Sequence, residues 1–235
     1  MVFEATAAAL SRAVRGRQPD DSTLVSERVF AVADGADLGA GAGARALVEL
    51  GRFVGAYPTA RRLARALIVV NFALWQRDSG DGALRSTITA AACLGRVLAV
   101  GHVGDSRAYL VRGRRAYQLT VDGEGRAGEQ GADREAVQRL GDRPPTAVPH
   151  VRRYLLEDDD RLILCTDGTW RRLRREDLVT AASLAPDAAC AFLCPRSANL
   201  EDEASVVVVA FREEHPVGTG MARRPRPPSR PAQVQ

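Results

Sequence analysis

Three apolar runs of this chain each carry an aspartate at one edge. Asp34 follows the run 29–33, Asp167 follows the run 161–166, and Asp202 precedes the run 205–211. The length and β-branched content of these runs are typical of buried strands. Strands packed in a core hold their ends rigidly, so three carboxylates placed there can converge on one point. Because converging carboxylates repel one another unless a cation neutralises them, the pattern predicts a site for a hard metal ion.

A second interpretation of the same residues is structural. Asp34 and Asp167 are each followed by a glycine, and an Asp-Gly pair taken alone is typical of a turn at the end of a strand. As ligands, carboxylate and carbonyl oxygens suit Mg²⁺ or Mn²⁺, and two such ions can activate a water for displacement at phosphorus. Zinc is not indicated, because the histidines and cysteines have no zinc-ligand spacing. Spacing alone does not decide whether these aspartates form turns or bind a metal ion.

Composition predicts one globular domain followed by a short tail. The chain has 235 residues, 46% of them hydrophobic, and we expect a domain at 1–212 and a disordered Pro/Arg-rich tail at 213–235. Four of the 33 basic residues lie in 216–235, and the other 29 balance the 29 acidic residues. Nucleic-acid binding is therefore not expected. No apolar run is long enough for a membrane span and no secretory signal is visible, so we expect a cytoplasmic monomer with reduced, buried cysteines.

Periodicity predicts two groups of strands, each followed by helices. The predicted strands are 2–10, 22–33 with a turn at 26–28, 87–94, 97–103, 108–111, 117–119, 150–156, 161–166 and 205–211. The predicted helices are 39–55, 58–78, a short one at 132–140, 174–184 and 186–194. Leu63, Leu67, Val70 and Leu74 form an apolar stripe on the second helix. This order indicates an α+β fold with two sheets flanked by helices.

Five segments resemble motifs of the metal-dependent serine/threonine protein phosphatases of type 2C, in their bacterial form. Phe30–Gly35 resembles the first metal motif of that family, and Leu162–Gly168 resembles the second. His102–Tyr109 is similar to its most specific internal signature, and Gln118–Asp122 follows as in bacterial members. Asp202–Val209 resembles the closing motif. The order and spacing agree over about residues 20–212, nearly the whole predicted domain.

The resemblance implies a four-layer α-β-β-α sandwich of two antiparallel sheets flanked by helices, with a two-metal centre at one end. Six residues would hold the two Mn²⁺ or Mg²⁺ ions: Asp20, Asp21, Asp34, the carbonyl of Gly35, Asp167 and Asp202. Asp34, Asp167 and Asp202 would be the catalytic residues. The implied reaction is hydrolysis of phosphoserine or phosphothreonine in proteins by a water that the two ions activate. The implied partner is a phosphorylated protein, such as a Ser/Thr kinase or another regulator in signal transduction.

Several positions depart from the family pattern. Gly16 stands where the family places its phosphate-binding arginine, so Arg15 or Arg17 would take that role. Arg171 replaces an acid near a third-metal site of bacterial members, and Glu203 replaces an asparagine. These departures support an alternative function, a non-catalytic regulatory or phosphoprotein-binding module.

The internal signature contains Asp105, Ser106 and Arg107. In the family this segment is a turn between core strands, so we expect the three residues to brace the sheet. Ser106 is not expected to be a nucleophile, because no histidine is placed to activate it.

Overall fold

Two antiparallel sheets form the centre of the molecule. The structure is a computed structural model and describes residues 3–14, 19–35, 41–77, 84–123, 138–142, 147–194, 202–214 and 230–234. Its strands are β1 (Phe3–Arg12), β2 (Ser22–Val25), β3 (Val29–Ala33), β4 (Ile88–Leu94), β5 (Val97–Val103), β6 (Arg107–Arg112), β7 (Arg115–Gln118), β8 (His150–Leu155), β9 (Arg161–Cys165), β10 (Ala204–Glu213) and β11 (Gln233–Val234). One sheet has the order β1-β10-β9-β6-β7 and the other β11-β8-β5-β4-β3-β2.

Helices cover the outer faces of both sheets. They are α1 (Ala42–Val54), α2 (Ala60–Arg77), α3 (Asp167–Trp170), α4 (Arg175–Ala182) and α5 (Pro186–Leu193). The stripe of Leu63, Leu67, Val70 and Leu74 is fully buried in the apolar layer that α1 and α2 form with the six-stranded sheet. A second apolar layer lies between the sheets, and a third joins the five-stranded sheet to α4 and α5. The predicted α-β-β-α sandwich is confirmed.

Most predicted elements are present with small shifts at their ends. The turn between β2 and β3 is closed by Ser26, whose hydroxyl donates to the Val29 carbonyl. Gly95 and Gly113 occupy the two short turns of the meander with positive φ, a conformation that glycine adopts without strain. All four cysteines are buried and free, as expected. None of the described helices combines the length and apolar character that a membrane span requires.

Two predictions differ from the structure. The predicted helix at 132–140 falls mostly outside the described residues, and its last residue, Leu140, instead forms a β-bridge with Ser86. The prediction of a disordered tail at 213–235 is wrong at its two ends, because Glu213 belongs to β10 and Gln233–Val234 pair with β8. Backbone pairing with a strand that lies far away in the sequence has no local signal, which explains the second difference. The boundary of the domain near 212 stays a prediction.

Candidate active site

The predicted aspartates lie at one end of the sandwich because of how the strands pair. Asp167 follows β9 and Asp202 lies two residues before β10, and these neighbouring antiparallel strands pair Cys165 with Val206. The end of one strand therefore lies beside the start of the other. Asp34 follows β3 of the opposite sheet, and its carboxylate is near those of Asp21 and Asp167. That Asp34, Asp167 and Asp202 share one cleft stays a prediction, and this strand pairing supports it.

Burial and mutual repulsion disturb the ionisation of the cluster. Burial raises the pKa of Asp34 well above its ordinary value of 3.8, and the charges of Asp21, Asp167 and Asp105 raise it further. Burial likewise raises the pKa of Asp21 to about 7 and that of Asp167 to about 6, the latter with help from Asp202 and Asp105. The raised pKa values show that the buried cluster disfavours several negative charges at once, and a cation would relieve that repulsion.

A hydrogen bond from Thr166 holds the Asp21 carboxylate. The Thr166 hydroxyl donates to Asp21 Oδ2 at 2.8 Å, and the same Thr166 oxygen accepts the backbone N–H of Ser205 at 3.0 Å. Asp34 lies close enough to Asp21 for the Asp21 charge to raise the pKa of Asp34. A cation between the two carboxylates would relieve their repulsion.

Glu203 organises the backbone of the early acidic pair. Its Oε2 accepts the backbone N–H groups of Asp20 and Asp21, both at 2.8 Å. Asp20 Oδ1 in turn accepts the N–H of Ala42, the first residue of α1, at 2.9 Å. The second carboxylate oxygen, Asp20 Oδ2, is buried and has no hydrogen-bond partner among the described residues. A buried carboxylate oxygen without a donor is a candidate ligand atom.

Glycines allow two close approaches within the site. A side chain at Gly35 would overlap the carboxyl group of Asp20, and a side chain at Gly168 would overlap the carbonyl oxygen of Glu203. Asp20 and Gly35 are therefore neighbours, and the turn after β9 packs directly on the backbone that leads into β10. The glycine of each Asp-Gly pair therefore serves close packing.

Asp105 differs from the expectation that it only braces the sheet. Its charge acts on both Asp34 and Asp167, so its carboxylate faces the cluster. Ser106 and Arg107 do brace the structure: Ser106 bonds the Thr87 hydroxyl at 2.8 Å, and Arg107 pairs with Asp122 at 2.7 Å.

The oxygen atoms of these residues suit a hard divalent cation, although they do not surround one common point. No three carboxylates, imidazoles or thiolates in the described ranges lie in an arrangement that would hold a metal ion as they stand. Two of the acids already have partners, since Thr166 donates to Asp21 Oδ2 and Arg171 pairs with Asp167 Oδ2 at 2.8 Å. The available atoms are nevertheless all oxygens, and Asp20 Oδ2 lacks a partner.

The predicted phosphate-binding residues, Arg15 and Arg17, lie outside the described residues. Their role therefore stays a prediction. Three residues that were not predicted as ligands also contribute to the site: Glu203 and Thr166 position the acids, and Asp105 joins the cluster. Both Thr166 and Glu203 lie inside the motifs, directly beside a predicted ligand, which is the only local signal for them.

Comparison with known proteins agrees with this fold and site. Residues 11–206 match the sequence model of the protein phosphatase 2C family. A curated relative, the probable protein phosphatase 2C 41 of Oryza sativa subsp. japonica, is 29% identical over 168 residues. The aligned part spans 57% of this chain and 57% of the rice protein.

Solved structures share the whole architecture. The PPM Ser-Thr phosphatase MsPP from Mycobacterium smegmatis, in complex with cacodylate, is 27% identical with a TM-score of 0.71, covering 88% of this chain and 98% of that one. The catalytic domain of the serine threonine protein phosphatase PstP, in complex with two manganese ions, is 23% identical with a TM-score of 0.72, covering 90% of this chain and 100% of that one. The chain belongs to the protein phosphatase 2C family, a family of protein serine/threonine phosphatases.

Proposed function

We propose that this protein hydrolyses phosphoserine and phosphothreonine in proteins with the help of two Mn²⁺ or Mg²⁺ ions. The ions would be held by Asp20, Asp21, Asp34, the Gly35 carbonyl, Asp167 and Asp202. The observation that carries the proposal is the group of acids next to strands of both sheets at one end of the sandwich, including the buried Asp20 Oδ2, which has no hydrogen-bond partner among the described residues. Protons stabilise such a cluster when no metal is bound, and divalent cations would replace them. Family membership supports the same reaction.

Bound at these residues, two divalent ions would activate a water and stabilise the charge on the phosphoryl group. The remaining contributions come from the chain itself. Glu203 and Thr166 hold Asp21 in place, and Gly35 lets its backbone approach Asp20. Asp34 has the central position, since it interacts with Asp21, Asp167 and Asp105. An arginine fork from Arg15 or Arg17 would orient the phosphate dianion of the substrate.

The substrate class proposed is a phosphorylated protein, such as a Ser/Thr kinase or a signalling regulator. This part of the proposal is supported by the family alone. Action as a monomer in the cytoplasm of a bacterium stays a prediction.

The proposal is tested by turnover of a phosphothreonine peptide with Mn²⁺. We expect Asp34→Asn to lower kcat by about a hundredfold or more. The substitution removes the negative charge of the proposed ligand that interacts with acids of both sheets. Asp187→Asn, which removes an exposed acid from α5, is the matched control and should behave as wild type. Equal turnover by folded wild type and Asp34→Asn would contradict the proposal. Absence of Mn²⁺ binding in calorimetry would instead favour the non-catalytic alternative.

A further inference from the structure

An arginine lies among the carboxylates of the proposed metal centre. Arg171 Nη2 is 2.8 Å from Asp167 Oδ2 and 4.0 Å from Asp105 Oδ2. The Asp167 side chain is only 11% exposed, whereas that of Arg171 is 56% exposed. A guanidinium reaching in from the solvent side therefore supplies positive charge to two acids of the cluster.

The local fold brings this cation to the cluster. Arg171 directly follows the one-turn helix α3 and remains in helical conformation, and Asp167 is four residues earlier. Residues four apart in helical conformation lie on the same face, so the two side chains meet. The contact therefore joins two residues of one short segment after β9.

Trp170 limits where the guanidinium can go. Its indole N–H donates to the Asp105 carbonyl at 2.9 Å, which fixes the ring beside the cluster. The guanidinium carbon of Arg107 lies 3.3 Å from the ring centroid, and that of Arg171 lies 5.7 Å away. Arg107 occupies the nearer position over the ring and is itself paired with Asp122. Arg171 is thus the cation of this group that pairs with Asp167.

We propose that Arg171 is a tethered counter-ion that competes with a divalent cation for Asp167 and so weakens metal binding at the centre. The inference rests on the proposed function, because it assigns Asp167 as a metal ligand. A divalent ion arriving at Asp167 must share that carboxylate with the guanidinium or displace it, and the two cations repel at short range. Arg171 acts here as a positioning residue, since its effect passes through Asp167.

Calorimetric titration of Mn²⁺ into metal-free protein tests this inference. We expect Arg171→Met to bind the ion about fivefold more tightly than wild type at low ionic strength, an effect that salt should reduce. Arg171→Lys retains the positive charge and should stay near wild type. Arg175→Met is the matched control, because it removes an exposed arginine at the start of α4 without touching Asp167. Equal affinities for Arg171→Met and wild type would overturn the inference.

A second measurement separates the inference from a folding defect. In EDTA, Arg171→Met should have a lower Tm than Arg175→Met, because the cluster loses its internal cation, and saturating Mn²⁺ should remove that difference. A Tm difference that Mn²⁺ leaves unchanged would mark Arg171 as merely structural and overturn the inference. Arg171→Gln allows the same comparison if the methionine variant does not fold.

The outcome is distinguishable from failure of the proposed function. Mn²⁺ binding that Arg171→Met strengthens, without phosphatase turnover in any variant, would uphold the counter-ion role and contradict the hydrolytic function. Turnover that depends on Asp34, together with unchanged Mn²⁺ affinity in Arg171→Met, would uphold the hydrolytic function and contradict the counter-ion role. If neither wild type nor Arg171→Met binds Mn²⁺, both proposals are contradicted.

Discussion

Glu203 Oε2 lies 2.8 Å from the backbone nitrogen of Asp21, although 182 residues separate the two in the chain. The segment before β10 thereby sets the position of an acid that precedes β2. Glu203 is buried, and its charge also raises the pKa of Asp21. One side chain thus stabilises the backbone of the site and adds to the negative charge that a metal ion would neutralise.

Replacing Glu203 should separate its hydrogen bonds from its charge. Glu203→Ala leaves the N–H groups of Asp20 and Asp21 buried without an acceptor, so we expect the free energy of unfolding to fall by about 2–4 kcal/mol. Glu203→Gln keeps an acceptor oxygen and should lose about half as much or less. Urea unfolding at neutral pH gives both values. Equal losses in the two variants would show that the charge, and not the acceptor, is what matters.

The raised pKa values of the cluster predict how metal-free stability changes with pH. Asp21 and Asp167 have folded pKa values of about 7 and about 6, above the ordinary 3.8. Between these limits the folded state binds more protons than the unfolded state, so these groups stabilise the fold at low pH and lose that contribution as the pH rises towards about 7. Mn²⁺ should reverse the trend, because it binds the ionised carboxylates.

The measurement is Tm in EDTA and in Mn²⁺ at about pH 5 and about pH 7.5, for wild type and Asp34→Asn. His102 contributes in the opposite direction, since burial lowers its pKa, and the difference between the two proteins cancels it. We expect the decline of Tm with pH in EDTA to be steeper in wild type. A decline of the same size in both proteins would refute a role for the carboxylate cluster.

Adding a methyl group at Gly168 should disturb the contact between the turn after β9 and the backbone before β10. The new carbon would overlap the backbone oxygen of Glu203, which cannot rotate away. We expect Gly168→Ala to lower the free energy of unfolding by about 1–3 kcal/mol. Gly51→Ala on α1 is the control, because that position is open, and alanine there should stabilise the helix by about 0.5–1 kcal/mol. Similar effects at both glycines would contradict the packing argument.

Arg112 forms the most deeply buried ion pair of the described residues. Its side chain is 5% exposed and bonds both carboxylate oxygens of Asp160, which is 0% exposed. Arg112→Met leaves that carboxylate buried without its cation, so we expect a loss of about 3–5 kcal/mol in urea unfolding. Arg212 and Asp159 form an exposed pair at 3.8 Å, and Arg212→Met should lose less than about 1 kcal/mol. A small loss at Arg112 would show that water reaches the pair.

Much of the fold was predictable because its signals are local. The stripe on α2 and the alternating strands with Gly95 and Gly113 between them each depend on residues a few positions apart. The short helix α3 was not predicted, because four residues give too little periodicity. The pairing of β11 with β8 was also missed, since it joins segments that lie far apart in the sequence.

The layered fold and the positions of Asp34, Asp167 and Asp202 at strand edges follow from the sequence, because apolar periodicity and turn residues act over short distances. The surroundings of those acids follow from the packing of distant segments. The bonds from Glu203 to the early acidic pair, the presence of Asp105 in the cluster and the proximity of Asp21 to Asp34 all depend on segments from different strands. The ion pair of Arg171 with Asp167 is local in sequence, but its effect arises because the fold buries Asp167 among other carboxylates. Burial and proximity control the ionisation of the carboxylates, and neither can be predicted from one segment of the chain.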